Sequence, residues 1–467
     1  MTNRRKFLKQ VTAAGIAGGF SFPLMAADQD SFFSETTGSV AGQLYIGWGC
    51  ADTTPEKPVA LTGQKYKRIS QQVQDPLMAT VLALETRNGN RVVEQAIMVS
   101  CDLLNIREQT QKRLQKVIAG RLTGFDSSKL FLNATHTHTA PGVADDEFGD
   151  LYDTSDDQEV MTPSLYETFF IERVAEAIVQ AWQNRMPGGF SWGLGHAFLG
   201  HNRRVVRSNG KAQMYGAYEQ DFSHYEGTED IQVPMLFFWD QNRELTGMVI
   251  NSTATAQVTD GTRFISADFY HEVRGNIRKK YGDQVYAFFQ LGAAGDITPV
   301  NHEYIYQRAE KEMLQRKGIT ARQELANRMV KAIDEVFPYV REDISEKVIF
   351  RHTVAQVNLP EIDPPNLPFH KADPVQPTEI HVIRLGDIAI ATNPFELFVD
   401  YGLMIKAKSK AILTFIVELS CRNSGYLPTA RARLGGGYSA ENILVGPEGG
   451  IRLVGETVKL INLLWED

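Results

Sequence analysis

The sequence is poor in cysteine and has no excess of positive charge. Cys50, Cys101 and Cys421 lie far apart and form neither a CxxC pair nor a disulfide framework, so they indicate buried thiols and one bridge at most. A formal net charge of −8 excludes a general nucleic-acid-binding protein, which needs a basic face. Beyond the first thirty residues, no apolar run is long enough to cross a membrane, and no internal repeat occurs. The 467 residues, 43% of them hydrophobic, are instead typical of a globular protein with a large core.

The N-terminus has the pattern of an export signal. Arg4 and Arg5 precede an apolar run from Val11 to Phe22, and small residues follow at Ala26 and Ala27. This order is typical of a twin-arginine signal. The alternatives are a short membrane anchor, although a spanning helix needs roughly 20 apolar residues, and chance basic residues before a buried helix. We therefore expect residues 1–27 to be removed. The mature protein, 28–467, is expected to be periplasmic or secreted, without stable insertion in a membrane.

Strand and helix patterns alternate along the rest of the chain. Apolar runs predict strands at 95–104, 129–136, 233–240, 245–256, 284–296 and 411–420, and a hairpin at 379–394 that turns at Gly386-Asp387. Amphipathic patterns predict helices at 107–122, 164–185, 267–282, 396–409 and 455–466. The alternation indicates an α/β protein with a mixed central sheet flanked by helices. The Pro-rich stretch 359–381 could be a domain linker, but we interpret it as a surface loop within one domain.

Candidate chemistry stands at the ends of the predicted strands, where α/β proteins commonly place their sites. The first motif is "ATHTHTAPG", residues 134–142, which carries His136 and His138. On an extended strand, residues i and i+2 face the same side, so the two imidazoles can converge on one metal ion. The alternative is a pair of structural histidines.

Three further motifs share this placement. "LGAAGDITP", residues 291–299, brings backbone close to a ligand and presents Thr298 as a candidate nucleophile, unless it is simply a turn capped by Asp296. "ATNPFELF" places Glu396 in an apolar run, either at a metal or at a helix N-terminus. "NSGYLPTARARLGGGYSAE" is a Gly-rich loop that carries Tyr426 and Tyr438 as candidate ligands. The alternative is that both tyrosines only pack at the surface.

In this order and spacing, the four motifs resemble the catalytic domain of the neutral/alkaline non-lysosomal ceramidase family. "THTHTAPG" resembles that family's THTHSGPG, "GDITP" its GDVSP, and "GYLPTARA…GGGY" its tyrosine-containing loop; "NPFELF" stands where the family has a GEFT segment. "GHNRR" resembles the family's N-R-S stretch at Asn202 and Arg203. The resemblance covers most of the mature chain.

The resemblance implies a zinc amidase site. Its metal ligands would be His136, Glu396 and Tyr426. His138, Arg203 and Tyr438 would contact the substrate or polarise its carbonyl, and Thr298 occupies the position of the family's serine. In this mechanism Zn²⁺ polarises the carbonyl and activates water or the Thr298 hydroxyl, His138 transfers the proton, and Gly-rich backbone holds the oxyanion.

The sequence departs from the family at two positions. The second histidine ligand of the family falls at about Ala256, so one ligand is missing, and His271 or Asp268 is a candidate replacement. His271 is otherwise a helix-surface residue. Thr298 keeps a hydroxyl in place of serine, but its methyl group crowds the attack.

The sequence therefore predicts an exported metal-dependent hydrolase of an amide, N-acyl or ester bond in a small molecule. No immunoglobulin-like C-terminal domain and no apolar helix for lipid docking are expected, which makes ceramide itself a less suitable substrate than a smaller or more polar one. The competing hypotheses are a catalytically inactive binding protein on the same scaffold and a hydrolase that uses a different metal.

Overall fold

A computed structural model describes residues 40–147, 149–154, 157, 159–299, 307–366 and 372–466. The expected export signal, 1–27, lies outside these residues and stays a prediction. The described residues from Val40 onward belong to one compact unit. Within this described part of the chain, no helix is long and apolar enough to cross a membrane.

Strands and helices alternate as the sequence predicts. The strands are β1 Gly42–Asp52, β2 Gln72–Val73, β3 Met78–Asn88, β4 Arg91–Cys101, β5 Leu130–Ala134, β6 Met186–His196, β7 His201–Asn202, β8 Arg204–Arg207, β9 Ala212–Met214, β10 Phe222–Tyr225, β11 Gln232–Asp240, β12 Leu245–Ser252, β13 Phe264–Ile265, β14 Tyr286–Leu291, β15 Ile297–Thr298, β16 Lys347–Val348, β17 Phe350–Val357, β18 Glu361–Asn366, β19 Thr378–Leu385, β20 Ile388–Thr392, β21 Glu396–Leu397, β22 Leu413–Val417, β23 Tyr426–Leu427 and β24 Ile443–Val445. The α-helices are α1 Glu108–Arg121, α2 Pro163–Gln183, α3 Phe269–Tyr281, α4 Gln307–Lys317, α5 Ala321–Val340, α6 Val399–Lys408, α7 Ala430–Gly435, α8 Tyr438–Glu441 and α9 Pro447–Leu463.

Two mixed sheets form the centre of the molecule. The larger has the order β14-β12-β11-β6-β1-β3-β4-β5, with β16 paired to β1; the smaller has the order β17-β19-β20-β22. Most neighbours are antiparallel, but β4 and β5, β12 and β14, and β20 and β22 run parallel. The carboxyl ends of each parallel pair therefore lie together at one sheet edge, where α/β proteins hold their ligands.

The two sheets pack face to face, and helices cover their outer faces. Along β3, Leu82 and Leu84 point into an apolar layer shared with Ile383 and Phe415 of the smaller sheet. Their neighbours Val81 and Ala83 pack instead against α1 and α2. Alternate side chains of one strand point to opposite faces, so a strand buried on both faces reads as a continuous apolar run.

Two further apolar clusters lie between the sheets and their covering helices, so the molecule has four layers: helices, the larger sheet, the smaller sheet and helices. Helices α3 and α5 cover β11 and β12 of the larger sheet, and α6 and α9 cover the outer face of the smaller sheet. Close approach of α2 to β1 depends on Gly49, where a Cβ would lie 2.2 Å from the carbonyl oxygen of Ala177. The expectation of an α/β protein with a mixed central sheet flanked by helices is confirmed, with two sheets rather than one.

Two elements differ from the sequence-based boundaries. The Pro-rich stretch contains β18, which pairs with β24, so part of it is a strand rather than a loop. Helix α6 begins at Val399 and not at Glu396, because residues 396–397 pair with Tyr426 and Leu427 as a short parallel bridge. Glu396 therefore does not cap this helix, and its carboxylate is available for the other role considered for it, which is binding a metal.

Candidate active site

A small cavity opens where the carboxyl ends of several strands meet. Its volume is about 60 Å³. The described residues that line it are Gly63, Gln64, Lys65, Leu104, Asn105, His136, His138, Glu147, Glu396, Leu419, Asn423, Tyr426 and Tyr438. Five of the seven residues singled out from the sequence are in this set. Arg203 and Thr298 are not among the described lining residues, although Arg203 contacts the lining residue Tyr426.

His136 presents a bare ring nitrogen to the cavity. It follows β5 with a φ of 62°, a left-handed conformation that is uncommon outside glycine, and its ring is buried. Nδ1 lies 2.7 Å from the carbonyl oxygen of Leu104, which only accepts, so Nδ1 carries the hydrogen. Burial, followed by the neighbouring His138, lowers the pKa of His136 well below its usual range. Nε2 of the neutral ring therefore keeps its lone pair for a ligand.

Glu396 faces this nitrogen from the opposite wall. One carboxylate oxygen lies 3.7 Å from Nε2 of His136. Burial raises the pKa of Glu396, while Arg203 and a hydrogen bond from Tyr426 oppose the shift. The backbone of Glu396 packs tightly on the Gly-rich turn: a Cβ at Gly295 would lie 2.3 Å from the carbonyl oxygen of Glu396. Glycine at this position is thus required for the carboxylate to reach the cavity.

Tyr426 lies beside Glu396, because β21 and β23 pair in register at these two residues. Its hydroxyl accepts a hydrogen bond from Nη2 of Arg203 at 3.1 Å, and the same nitrogen donates to the carbonyl of Gly295 at 3.0 Å. Burial and the nearby Glu396 raise the pKa of Tyr426 well above its usual range. Arg203 therefore holds Tyr426 in place rather than contacting the cavity directly.

His138 brings a second ring nitrogen to the same point. Its Nε2 lies 3.3 Å from Nε2 of His136. Its Nδ1 lies 3.1 Å from the Asp260 carboxylate, so Nδ1 donates and Nε2 is again bare. Burial alone would raise the pKa of Asp260, but His138 outweighs it and lowers the pKa to about 2. The side-chain amide nitrogen of Gln257 donates a hydrogen bond to His138 Nε2, so a metal ion bound there would replace this hydrogen bond.

Ala256, which stands at about the position of the family's second histidine ligand, is buried. Ala256 exchanges hydrogen bonds with the opening motif, its N–H to Thr135 and its carbonyl to the N–H of His138. His271 is exposed on α3, and Asp268 is engaged by Thr259 and by the backbone N–H of Phe269. Neither is among the described residues that line the cavity, so the structure does not bring either candidate replacement to it.

Thr298 lies on a short strand that pairs with His201, and it is buried. Asp296, two residues earlier, accepts hydrogen bonds from the side chain of Asn202 and from the backbone N–H of Val399. Asp296 thus accepts from the first residue of α6, in another segment of the chain, rather than capping the backbone of its own turn. Burial raises the pKa of Asp296 to about 6.

Tyr438 completes the rim of the cavity. Its ring centroid lies 5.6 Å from that of Tyr426, and Nζ of Lys65 lies 4.1 Å above the ring. Burial raises the pKa of Tyr438 to about 12, so its phenol remains protonated at neutral pH and is able to donate a hydrogen bond.

Several polar residues of the site were missed from the sequence. Asn105 donates to Glu147 at 2.6 Å, and burial raises the pKa of this carboxyl group. Asn423 and Lys65 also line the cavity, and Asp260 orients His138. None of them stands in a spaced motif. The one available signal was position, since Asn105 and Asn423 follow the predicted strands 95–104 and 411–420.

The donor set fits a zinc ion. Two nitrogens bound to one tetrahedral zinc at about 2.0–2.1 Å lie about 3.3 Å apart, which is the separation of the two Nε2 atoms. In each imidazole, Nδ1 donates its hydrogen to an acceptor, and this orients the ring as in most metal-bound histidines.

Comparison with known proteins gives a structural match only. No family model matches the sequence, and no curated protein matches it. The solved structure of neutral ceramidase from Pseudomonas aeruginosa is similar to this chain, with a TM-score of 0.70 and 16% identity over 91% of this chain and 75% of that chain. A ceramidase complexed with C2 is similar over the same shares, with a TM-score of 0.68 and 16% identity. At this identity the likeness establishes the fold, and the resemblance seen in the motifs is confirmed at that level: this chain has the fold of neutral ceramidase.

Proposed function

We propose that this chain is an exported zinc-dependent hydrolase that cleaves an amide, N-acyl or ester bond of a small molecule. One observation carries the proposal: in a fold shared with a ceramidase, bare Nε2 atoms of His136 and His138 and the Glu396 carboxylate converge on one cavity. Export to the periplasm or outside the cell rests on the twin-arginine pattern of residues 1–27 alone.

His136, Glu396 and Tyr426 would hold the zinc ion, with His138 in place of the histidine missing near Ala256. The 3.3 Å separation of the two ring nitrogens supports His138 as a ligand. A bound zinc ion would supply a Lewis acid that polarises the substrate carbonyl.

The ligand role of His138 changes how protons are handled in the cavity. One nitrogen cannot bind the metal and carry a proton at the same time, so His138 as a ligand leaves proton transfer to another group. Glu147 lines the same cavity with a buried carboxyl group whose pKa is raised by burial, and this carboxyl group would serve as the general base. Tyr438 donates a hydrogen bond to the substrate, and Arg203 acts by positioning Tyr426.

A substrate smaller or more polar than ceramide suits the cavity. Among its described lining residues, Gln64, Lys65, Asn105 and Asn423 present amide and ammonium groups. Such groups lose their hydrogen bonds to water when an apolar chain covers them, which costs free energy. A polar acyl amide or ester keeps them paired.

The alternative is a binding protein that has lost catalysis on this scaffold. Two observations favour it: the family's second histidine is replaced by Ala256, and Thr298, at the position of the family's serine, is not among the described lining residues.

Hydrolysis assays distinguish these two functions. The zinc-loaded full chain is incubated with N-acyl amines and aryl esters of increasing acyl length, and product release is measured with and without a chelator. We expect turnover that is lost with the chelator and restored by zinc. Glu396→Ala should lower it on the order of 10³-fold or more, since the Lewis acid supplies several kcal/mol, while exposed Glu342→Ala leaves it unchanged.

The same assay tests Thr298. Its replacement by alanine abolishes turnover if the hydroxyl attacks, whereas full activity in Thr298→Ala leaves a water molecule as the attacking group. A zinc-loaded chain that binds the substrates but releases no product from any of them contradicts the hydrolase proposal and supports the binding protein.

A further inference from the structure

A second cluster of metal-binding side chains lies between the two sheets. Glu379 and His381 are two residues apart on β19 and share one face of that strand. Cys421 approaches them from the segment that follows β22. One candidate ligand atom of each residue lies within 4.8 Å of the other two. His381 and Cys421 are buried, while the Glu379 side chain is 19% exposed and leaves a route from solvent.

The ring of His381 is fixed by a second histidine. His352 on the adjacent strand β17 places Nδ1 3.4 Å from the carbonyl oxygen of Gln95, which only accepts, so Nδ1 of His352 carries a hydrogen. A neutral His352 then accepts at Nε2 from the Nδ1–H of His381, 2.9 Å away. Nε2 of a neutral His381 is consequently bare.

This bare nitrogen faces a carboxylate. Nε2 of His381 lies 3.1 Å from Oε1 of Glu379, close to the separation of about 3.3 Å between two ligand atoms of one tetrahedral zinc ion. Two acceptors this close need a proton or a metal ion between them. The other carboxylate oxygen accepts from the side chain of Gln356 at 3.0 Å, so the carboxylate is oriented as metal-binding carboxylates are.

One side of the cluster faces the apolar layer between the sheets. The ring of Phe131 lies 5.0 Å from that of His381, and Cys421 belongs to the apolar layer between the sheets. Charged or polar groups are costly in such a layer unless they are paired or bind a metal. Thiolate, imidazole and carboxylate together are ligands that suit zinc and related divalent transition metals, and not calcium or magnesium.

We propose that Glu379, His381 and Cys421 form a second metal site, which binds a zinc-class divalent cation through one thiolate sulfur, one imidazole nitrogen and one carboxylate oxygen. Binding converts the Cys421 thiol to a thiolate, and its proton leaves to solvent. The site links β19 of the smaller sheet to Cys421, which lies two residues before Asn423 on the wall of the active-site cavity. Its role is to fix that segment, in which Cys421 has a φ of 66°.

Cobalt substitution tests this site directly. Co²⁺ added to the metal-free full chain should produce a thiolate-to-cobalt charge-transfer band, because a cysteine is a ligand here, whereas the proposed active-site ligands include no cysteine. The band should saturate by two equivalents of Co²⁺ per chain, because the active site also binds the ion, and it should disappear in Cys421→Ser. The matched control Cys50→Ser, and His136→Ala in the active site, should keep it.

The outcomes are separable from those of the proposed hydrolase. A cobalt-loaded wild-type chain without the band, or a band that persists in Cys421→Ser, overturns the second site and leaves a buried His381–Glu379 ion pair only. If His136→Ala loses zinc but keeps the band, the active site has lost its metal ion and the second site is intact, which supports two separate sites. Circular dichroism of the metal-free wild type and Cys421→Ser, which should agree, excludes misfolding as the cause of a lost band.

Discussion

At the scale of single residues, the buried carboxyl group of Glu418 joins two walls of the active site. One of its oxygens accepts from the backbone N–H groups of Ala294, at 3.0 Å, and Leu397, at 2.8 Å. The other oxygen is buried and has no hydrogen-bond partner among the residues that the structure describes. Burial raises the pKa of Glu418 well above its ordinary value of 4.5. Glu418 thus holds the Gly-rich turn against the residue that follows Glu396.

Replacing Glu418 by glutamine and by alanine separates its hydrogen bonds from its charge. Glutamine keeps an acceptor for both N–H groups, so Glu418→Gln should change the free energy of unfolding by no more than about 1 kcal/mol below pH 4.5, where the wild-type carboxyl is protonated in the folded and the unfolded state. Glu418→Ala leaves two buried donors unpaired and a void, and should cost about 3 kcal/mol or more. Urea unfolding of the three proteins measures both values.

The same pair gives a pH dependence. Because the pKa of Glu418 is raised in the folded state, the unfolded chain releases this proton first, and wild-type stability falls as pH rises above about 4.5. Glu418→Gln should lack this part of the decline. A parallel fall of wild type and Glu418→Gln across this range would contradict a raised pKa at Glu418.

Residues could be predicted from the sequence where a motif marked them. His136, His138, Glu396 and Tyr426 follow apolar strands in spaced patterns, and all four line the cavity. Residues such as Glu418 have no pattern, because their role depends on backbone donors from distant parts of the chain. Whether the four marked residues bind a metal stays a prediction.

At the scale of elements, the sequence predicted eight of the 24 described strands and five of the nine described α-helices, and it missed the long strands β1, β3, β6 and β17 and the helix α5. The elements that it did predict include one correct turn and one boundary error with a physical cause. The hairpin of β19 and β20 turns at Gly386-Asp387 as expected, with Gly386 at a φ of 61°. The helix predicted from residue 396 starts at Val399, because Asp296 caps it from another segment. A cap that is distant in sequence leaves no local signal, so periodicity alone placed this boundary too early.

Helix α5 illustrates a local cap. The hydroxyl of Thr320 accepts from the N–H of Gln323 at 3.2 Å, and the Gln323 side chain accepts from the N–H of Thr320 at 2.9 Å, which is a capping box. Thr320→Ala should therefore lower the free energy of unfolding by about 1 kcal/mol. Chemical denaturation measures it, with exposed Thr123→Ala as the control. Equal midpoints for Thr320→Ala and wild type would show that the cap contributes nothing.

At the scale of the whole molecule, the sequence indicated the fold class but not the sheet order. The two sheets bring together the segments after β5, β20 and β22, which are far apart in the chain. Apolar periodicity identifies buried strands but does not specify which strands are neighbours. The arrangement of the cavity therefore followed from the family resemblance, whose fold the structure confirms at 16% identity.

The zinc content of the purified full chain tests the central claim, that one cation is held by side chains from separate strand ends. We predict that His136→Ala and Glu396→Ala each contain one zinc ion fewer per chain than wild type, with unchanged circular dichroism, because each removes a ligand and little of the core. His271→Ala, which changes an exposed histidine away from the cavity, should match wild type. Equal zinc in wild type, His136→Ala and Glu396→Ala would contradict the account.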